Sequence, residues 1–273
     1  MKPTKKIALL HDLCGVGKAS FTNMMPILSV MGAEVCPIPT VLLSTHTGGY
    51  GIPAMFKVDP DYITQCANHY VENRVFFDVV FIGYLGSIEM VEAVKYFISC
   101  FPDAKVIMDP IMGDKGVFYE NFNQSYCSAI KSLLPYTDIL LPNLTECCLM
   151  TGIEIQGNWS PQKAKTFCER LDLFHVEDMV ITSVPVGKNN KGIAIYHDQK
   201  FMFLENERAL SDYHGTGDAF DGVFIGSILK DRDILESVKL SHDFVLACIK
   251  ESNKYDYDER EGLIIENNLS MLV

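Results

Sequence analysis

Residues 79–84 read VVFIGY and residues 138–143 read DILLPN, and these two stretches decide the fold. In both, apolar side chains stand at successive positions rather than at alternate ones, so both faces of each strand must be buried. A parallel sheet covered by helices on both sides buries its strands in this way. The two stretches therefore predict central strands of such a sheet.

Similar apolar runs alternate with segments of helical periodicity along the rest of the chain. The predicted strands are residues 6–10, 34–40, 79–82, 105–108, 139–141, 179–182, 192–196 and 201–204. The predicted helices are residues 17–30, 60–73, 88–100, 124–133, 144–150, 161–171, 217–229 and 233–250. This alternation is typical of βαβ units, and the last two strands predict an antiparallel edge hairpin. We expect an α/β fold with a doubly wound, mostly parallel central sheet flanked by helices, in a single domain of residues 1–273.

The composition excludes several classes of protein. The 273 residues carry a net charge of −12, which disfavours nucleic acid and anionic membranes as partners. Apolar runs fall short of the roughly 18–20 residues that span a bilayer, and the run at residues 7–10 is too short for a signal peptide. The nine cysteines are odd in number and form no CxxC pair. We interpret them as thiols of a reducing compartment, and the sequence predicts a cytoplasmic protein.

Polar residues follow six consecutive predicted parallel strands. They are His11-Asp12, the loop of residues 44–50 with Ser44, His46 and Thr47, then Gly83-Tyr84, Asp109-Pro110, residues 142–146 (PNLTE) and Thr182-Ser183. Ligands of open α/β sheets bind beyond the carboxyl ends of the strands. Chance placement of loop residues accounts for two or three such positions but not for six, so the sequence predicts a ligand site at this edge.

The strongest motif is HGTGDAF, residues 214–220, which leads into an apolar helix. Gly215 and Gly217 allow a sharp turn that exposes backbone N–H groups at a helix N-terminus, where anions bind. Asp218 in the first turn could accept a proton from an attacking alcohol while the N–H groups stabilise a transferred phosphoryl group. The alternative is an ordinary glycine turn in which Asp218 only favours the helix start.

Two further segments carry acidic and amide groups. Asn143 and Glu146 lie three positions apart, so they could hold the magnesium ion that accompanies ATP, or they could form a capping box at the start of the helix. Asp109 precedes a glycine-containing segment, residues 111–126, which is either a mobile lid or a plain surface loop. For the loop that contains His46 and Thr47, a substrate cavity is one interpretation and an unremarkable surface loop is the other.

These motifs together resemble the pyridoxal kinase branch of the ribokinase-like superfamily. The matching stretches are LSTHTGG (43–49), GYLGS (83–87), DPIMGDKG (109–116), LLPNLTE (140–146), VITS (180–183) and HGTGDAF (214–220). They occur in the order of the family and extend over nearly the whole chain. The resemblance implies an ATP-dependent kinase that phosphorylates the 5′-hydroxymethyl group of a B6 vitamer: pyridoxal, pyridoxamine or pyridoxine.

The resemblance also implies roles for individual residues. Asp218 matches the catalytic base, and Gly215, Thr216 and Gly217 match the anion hole. The positions that match ATP contacts are Asp109, Asp114, Tyr119, Asn143, Thr182 and Ser183, and those that match the metal site are Glu146 and Asp109. The positions assigned to the substrate pocket are His11, Asp12, Ser44, His46, Thr47 and Tyr84. Members of the family use Mg-ATP, often with a stimulatory potassium ion, and form homodimers, and residues 114–119 belong to their shielding loop.

The opening of the chain departs from the usual pattern. Many pyridoxal kinases carry a serine after the first strand, whereas this chain has His11 followed by Asp12. An Asp12 that faces the pocket could suit a cationic aminomethyl group or a protonated pyridine nitrogen. This opening resembles a bacterial subgroup of pyridoxamine kinases.

Two alternatives remain. A hydroxymethylpyrimidine kinase of thiamine biosynthesis has the same fold and chemistry, but it usually opens with Gly-Ser-Asp after the first strand, which this chain lacks. A protein that binds a B6 vitamer without catalysis is the second alternative, although such a protein needs no base at Asp218.

Overall fold

The computed structural model describes residues 4–153, 160–172, 174–186, 190–207 and 213–273. The strands are β1 Lys6–Val16, β2 Glu34–Thr45, β3 Met55–Lys57, β4 Val79–Ile82, β5 Lys105–Met108, β6 Gly113–Asp114, β7 Val117–Phe118, β8 Ile139–Leu140, β9 Asp178–Val186, β10 Asn190–His197 and β11 Lys200–Glu207. The helices are α1 Phe21–Val30, α2 Pro60–Glu72, α3 Ile88–Cys100, α4 Gln124–Lys131, α5 Leu144–Thr151, α6 Pro161–Asp172, α7 Thr216–Leu229 and α8 Ile234–Ser252. Short 3-10 turns cover Leu134–Tyr136, Glu259–Glu261 and Glu266–Leu272.

Within the described residues, nine strands form one sheet in the order β11-β10-β9-β8-β5-β4-β1-β2-β3. Neighbouring strands from β9 to β2 are parallel, whereas β10, β11 and β3 pair antiparallel at the two edges. The predicted mostly parallel sheet with an antiparallel edge hairpin is confirmed. Strands β6 and β7 form a separate hairpin.

The central strands are buried on both faces, as their composition predicts. In β4, Val80 and Ile82 belong to a core that contains residues of α3, α4, α5 and α6. Val79 and Phe81 point the other way, into a core with residues of α1, α7 and α8. Because side chains alternate along a strand, a run of four apolar residues is what two such cores require.

Two parallel strands extend beyond the predicted ends. Strand β1 continues to Val16, which pairs with Thr45 of β2, so His11, Asp12 and Ser44 lie inside strands rather than after them. The register shifts between His11 and Asp12, where Thr40 is the extra residue on β2. Beyond the end of β4, β1 and β2 continue to pair with each other. The hydrogen bonds between them join backbone groups, so they form even though several side chains in this part are polar.

Strand β9 also runs past its predicted end. Ile181 pairs with Ala194 and Val184 pairs with Gly192, so Thr182 and Ser183 together oppose one residue of β10. Such a bulge bends the strand and re-aims its side chains, and Ser183 has a φ of 59°. Thr182 and Ser183 are therefore strand residues at a bulge, which differs from the predicted position after a strand end.

Other differences are local. Helix α1 begins at Phe21 instead of residue 17, because Lys18 and Ser20 have positive φ angles of 49° and 57° that a helix cannot contain. The hairpin of β6 and β7 lies in the segment that was predicted as a lid or loop. All nine cysteines lie within the described residues, and none forms a disulfide. Among the helices described, none has the length and apolar character to cross a membrane.

Candidate active site

Helix α7 begins with an open N-terminus. Gly215 precedes it with a φ of 79°, and a Cβ at this position would lie 2.1 Å from the backbone oxygen of Lys18, so the position requires glycine. As the N-cap, Gly215 has no side chain to bond the first N–H groups, which also lack partners within the helix. A Cβ placed on Gly217 would meet no described heavy atom within 4 Å. The turn therefore offers N–H groups and free space to an anion.

Asp218 lies beside this opening. Its Oδ2 accepts a hydrogen bond from the backbone N–H of Ser20 at 2.8 Å, and its Oδ1 lies 3.2 Å from Nε2 of His11. The side chain is 13% exposed. The carboxylate is thus held at two points while part of its surface remains accessible.

His11 is buried between two carboxylates. Nδ1 lies 2.8 Å from Oδ1 of Asp12, on the opposite side of the ring from Asp218. Burial by itself opposes the charged imidazole, but hydrogen bonds to Asp12 and Asp218 raise the pKa of His11 to about 10. The raised pKa favours the imidazolium form, in which both ring nitrogens can donate to carboxylates, and the backbone N–H of Asp12 also lies 2.9 Å from Nδ1.

Asp12 points into the protein. Its oxygens accept hydrogen bonds from Ser20 Oγ at 2.6 Å and Cys14 Sγ at 3.0 Å, in addition to the His11 contact. Burial tends to raise the pKa of this carboxyl, but the contacts to His11 lower it below the ordinary value. The expectation that Asp12 faces the pocket toward a cationic substrate group differs from this geometry, because both oxygens are engaged inside the chain.

The loop before α1 and the first turn of α1 supply residues that sequence reasoning missed. Ser20 bonds both Asp12 and Asp218, and Nδ2 of the buried Asn23 donates to the carbonyl of Gly215 at 2.6 Å. Ser20 and the first turn of α1 therefore hold the start of α7 in place. Since 192 residues separate Asn23 from Gly215, no local pattern in the sequence could have predicted these contacts.

A second acidic group lies next to Asp218. Asp109 follows β5, and its carboxyl shares a hydrogen bond with that of Asp221, one turn after Asp218 on α7. Burial raises the pKa of Asp109 to about 7 and raises that of Asp221 well above its usual range. The two carboxyls therefore share a proton near neutral pH. Sequence reasoning also missed Asp221, although an aspartate within AFDGVFIG, an otherwise apolar helix, was a usable signal.

The predicted pair at the start of α5 forms the capping box. Asn143 Oδ1 accepts from Glu146 N at 3.0 Å, and Glu146 Oε2 accepts from Asn143 N at 2.8 Å. Glu146 Oε1 also accepts from Met112 N at 3.1 Å. Burial and the nearby Asp109 raise the pKa of Glu146.

The carboxylate oxygens near Asp218 suit a magnesium ion that takes the rest of its coordination shell from a bound ligand and water. In the part of the chain that the structure describes, no three His, Cys, Asp or Glu side chains converge on one metal position. Asp221 Oδ2 is buried without a hydrogen-bond partner among the described atoms, and Asp109 lies close enough to Glu146 to raise the pKa of that carboxyl. Magnesium commonly uses one or two carboxylates and completes its shell with phosphate oxygens and water. The oxygens present suit that arrangement.

The β6–β7 hairpin is tied to the start of α5. Asn143 Nδ2 donates to the Gly113 carbonyl at 2.9 Å, and Gly116 N donates to Thr145 Oγ1 at 3.0 Å. Asp114 and Tyr119 lie on this exposed segment, and Thr182 forms a bridge with Asn143. The residues predicted to contact ATP therefore share one edge of the sheet.

The remaining residues predicted to line the substrate pocket differ in exposure and in hydrogen bonding. Tyr84 Oη accepts from Asn121 Nδ2 at 2.6 Å, which links the end of β4 to the segment after the hairpin. Ser44 and Thr47 are exposed, and Ser44 Oγ accepts from Ala54 N. His46 is buried, and its Nε2 donates to the Arg260 carbonyl at 2.7 Å. His46 thus anchors its loop to the carboxyl-terminal segment.

Comparisons with known proteins identify related kinases. The family model described as phosphomethylpyrimidine kinase matches residues 27–262. A Bacteroides thetaiotaomicron protein provisionally named phosphomethylpyrimidine kinase, in an orthorhombic crystal form with pyridoxal, is similar with a TM-score of 0.93 and 32% identity, covering 98% of this chain and 96% of that one. The pyridoxal kinase from Lactobacillus plantarum is similar with a TM-score of 0.90 and 26% identity, covering 98% and 96%.

A relative with a different named substrate matches less of the chain. The hydroxymethylpyrimidine/phosphomethylpyrimidine kinase of Haemophilus influenzae is 27% identical over 173 residues, which are 62% of this chain and 63% of that protein. The family model covers well over half of the chain, and the Bacteroides relative exceeds 30% identity over almost all of it. The chain therefore belongs to the phosphomethylpyrimidine kinase family of phosphotransferases, within the ribokinase-like superfamily that also contains the pyridoxal kinases.

Proposed function

We propose that this protein transfers the γ-phosphoryl group of ATP to the 5′-hydroxymethyl group of a B6 vitamer. The observation that carries the proposal is the position of Asp218, a partly exposed carboxylate beside the open N-terminus of α7. The similarity to a pyridoxal kinase and to a relative crystallised with pyridoxal supports the choice of substrate.

The residues suggest how the transfer proceeds. The substrate O–H proton moves to a carboxylate oxygen of Asp218, and the freed oxygen forms a bond to the γ-phosphorus. The bond between this phosphorus and the bridging oxygen breaks, and ADP leaves. N–H groups of Thr216, Gly217 and Asp218 stabilise the charge on the transferred group.

Other residues would hold the nucleotide. Asp109 and Glu146 would hold magnesium, which when bound neutralises charge on the β- and γ-phosphates. Asn143, Thr182 and Ser183 lie along the same edge and would contact ATP, with Asp114 and Tyr119 on the shielding hairpin. Tyr84 and Thr47 would line the pyridine pocket, and a stimulatory potassium ion remains part of the proposal.

Assembly and location complete the proposal. We propose a single kinase domain that forms a homodimer in the cytoplasm. The edge of β2 and β3 exposes apolar side chains, among them Phe56 at 65% exposure and Met55, which a second copy could cover. Light scattering on the purified chain tests the dimer, and a monomer at micromolar concentration would contradict it.

A hydroxymethylpyrimidine kinase is the second candidate, favoured by the matching family model and by the Haemophilus relative. A panel of pyridoxal, pyridoxamine, pyridoxine and hydroxymethylpyrimidine, assayed for ATP-dependent ADP release, separates the two. We expect the highest kcat/KM with a B6 vitamer and at least a roughly 10²-fold loss of rate in Asp218→Ala. A preference for hydroxymethylpyrimidine would reverse the assignment, and no ADP release with any acceptor would leave a binding protein.

A further inference from the structure

We infer that His11, held by Asp12, is a positioning residue that orients the Asp218 carboxylate for proton acceptance. The inference rests on the proposed function, and it replaces the expectation that His11 and Asp12 touch the substrate. Three side chains form a continuous chain: Asp12 Oδ1 lies 2.8 Å from His11 Nδ1, and His11 Nε2 lies 3.2 Å from Asp218 Oδ1.

A substrate contact by His11 is excluded by burial and hydrogen bonding. The side chain is 1% exposed, and both ring nitrogens already have carboxylate partners. An imidazole has no other polar atom. Whatever His11 contributes to the reaction must therefore pass through Asp218.

The surrounding chain makes room for this ring. A Cβ on Gly83 would lie 2.3 Å from Cδ2 of His11, so any side chain at residue 83 would displace the imidazole. The rings of Phe21 and Phe81 lie on other sides, with centroids 6.3 and 6.0 Å from that of His11. The orientation of the ring is thus set by packing as well as by Asp12.

The consequence for Asp218 is a carboxylate held at both oxygens. The Ser20 N–H fixes Oδ2 and His11 fixes Oδ1, so the plane of the group is defined and one lone pair on each oxygen remains for the substrate proton. The charged groups that face His11 are Asp12 on its own strand, Asp218 on α7 and Asp109 after β5.

The experiment is a double-mutant cycle of His11→Gln and Asp12→Asn, with kcat and KM measured for the best vitamer and for ATP. Gln carries its donors on a single nitrogen and so cannot bridge two carboxylates on opposite sides, and Asn at residue 12 preserves shape while removing charge. We expect His11→Gln to lower kcat roughly 10²-fold, with both KM values within about twofold of the native ones. Asp12→Asn should lower kcat about tenfold alone and less than about twofold in the His11→Gln background, because it acts through the ring.

Matched variants separate a loss of Asp218 positioning from a loss of protein stability. His197 pairs with Asp178 at 2.6 Å, on strands β10 and β9, so His197→Gln removes the same kind of pair elsewhere and should leave kcat unchanged. Gly83→Ala displaces the imidazole while His11 itself is retained, and it should lower kcat without raising KM. Circular dichroism confirms folding of each variant, and Asp12→Asn remains as a shape-preserving probe where His11→Gln does not fold.

The outcomes are distinguishable. A native protein that releases no ADP with any acceptor contradicts the proposed function itself. If the native protein is active and Asp218→Ala is inactive, three results overturn the inference: native kcat in His11→Gln, an increase in vitamer KM with native kcat, or effects of the two substitutions that multiply independently. Loss of kcat alone, coupled through the cycle, supports it.

Discussion

The carboxyl groups of Asp109 and Asp221 share a hydrogen bond at the carboxyl edge of the sheet, although Asp109 follows β5 and Asp221 lies on α7. Asp221 is buried and Asp109 is half-buried, and two such carboxyls in contact are costly when both are ionised. Such a pair is tolerated where a bound cation or a shared proton offsets the repulsion, which is why we place it at the nucleotide end of the site.

This pair predicts how stability depends on pH. The folded pKa of Asp109, about 7, is above its ordinary value of 3.8, so its contribution to stability is fully present below pH 3.8 and is lost as the pH rises through about 7. The melting temperature of the native protein without ligand should therefore fall between pH 5 and 8. Asp221→Asn should flatten this fall and raise the melting temperature at pH 8. Thermal melts between pH 5 and 8 test this prediction. Asp103→Asn, at an exposed position, is the control because it removes the same charge, and an equal fall of the melting temperature with pH in both variants would contradict the prediction.

Gly217 and Gly215 predict opposite results for the same substitution. Ala at Gly217 meets no described atom within 4 Å and improves helix propensity by about 1 kcal/mol, so the protein should fold at least as well as before. Its methyl group, however, enters the space in front of the helix N-terminus, and kcat/KM for ATP should fall roughly tenfold or more.

Gly215→Ala is the contrasting variant. A positive φ costs about 1–2 kcal/mol for a residue with a Cβ, and the methyl group would also collide with the Lys18 carbonyl. We expect loss of stability in urea titrations together with loss of activity. Unchanged ATP kinetics in a well-folded Gly217→Ala protein would show that phosphate does not lie at this turn.

Glu146 predicts a change in magnesium dependence. Glu146→Gln keeps the size of the side chain but removes its charge, and we expect the magnesium concentration for half-maximal activity at fixed ATP to rise about tenfold. Glu236→Gln is the control, because Glu236 holds the same N3 position in the first turn of α8 and lies outside the proposed site. If both variants show the native magnesium curve, Glu146 serves only as the cap.

Tyr84 predicts a role for the segment after the hairpin. Tyr84→Phe removes the hydrogen bond to Asn121 and retains the ring, so the segment should shield the site less well and ATP hydrolysis without an acceptor should rise. Asn121→Ala should give the same increase, and the double variant should add little because both remove one bond. Additive effects would indicate separate roles, and the test is phosphate release in the absence of vitamer.

Much of the fold follows from local patterns. Strands β4 and β5 and helix α3 have the predicted bounds, because successive apolar residues in each strand lie on both faces of the sheet and Ser87 caps a helix of clear periodicity. The capping box of Asn143 and Glu146 was one of two interpretations left open, and the structure contains it. The anion-binding character of residues 214–218 also follows from glycine and helix chemistry alone.

From the order of residues alone, then, the parallel sheet, its buried strands and the polar edge could be derived, because each depends on neighbours within one element. The sheet order decided the rest: it brings His11 to Asp218 across 207 positions and Asp109 to Asp221. It also lengthened β1 and β2 through pairing partners that no local window contains. The physical reason is that hydrogen bonding and burial between distant segments depend on which strands become neighbours, and a local pattern carries no information about its neighbour in space.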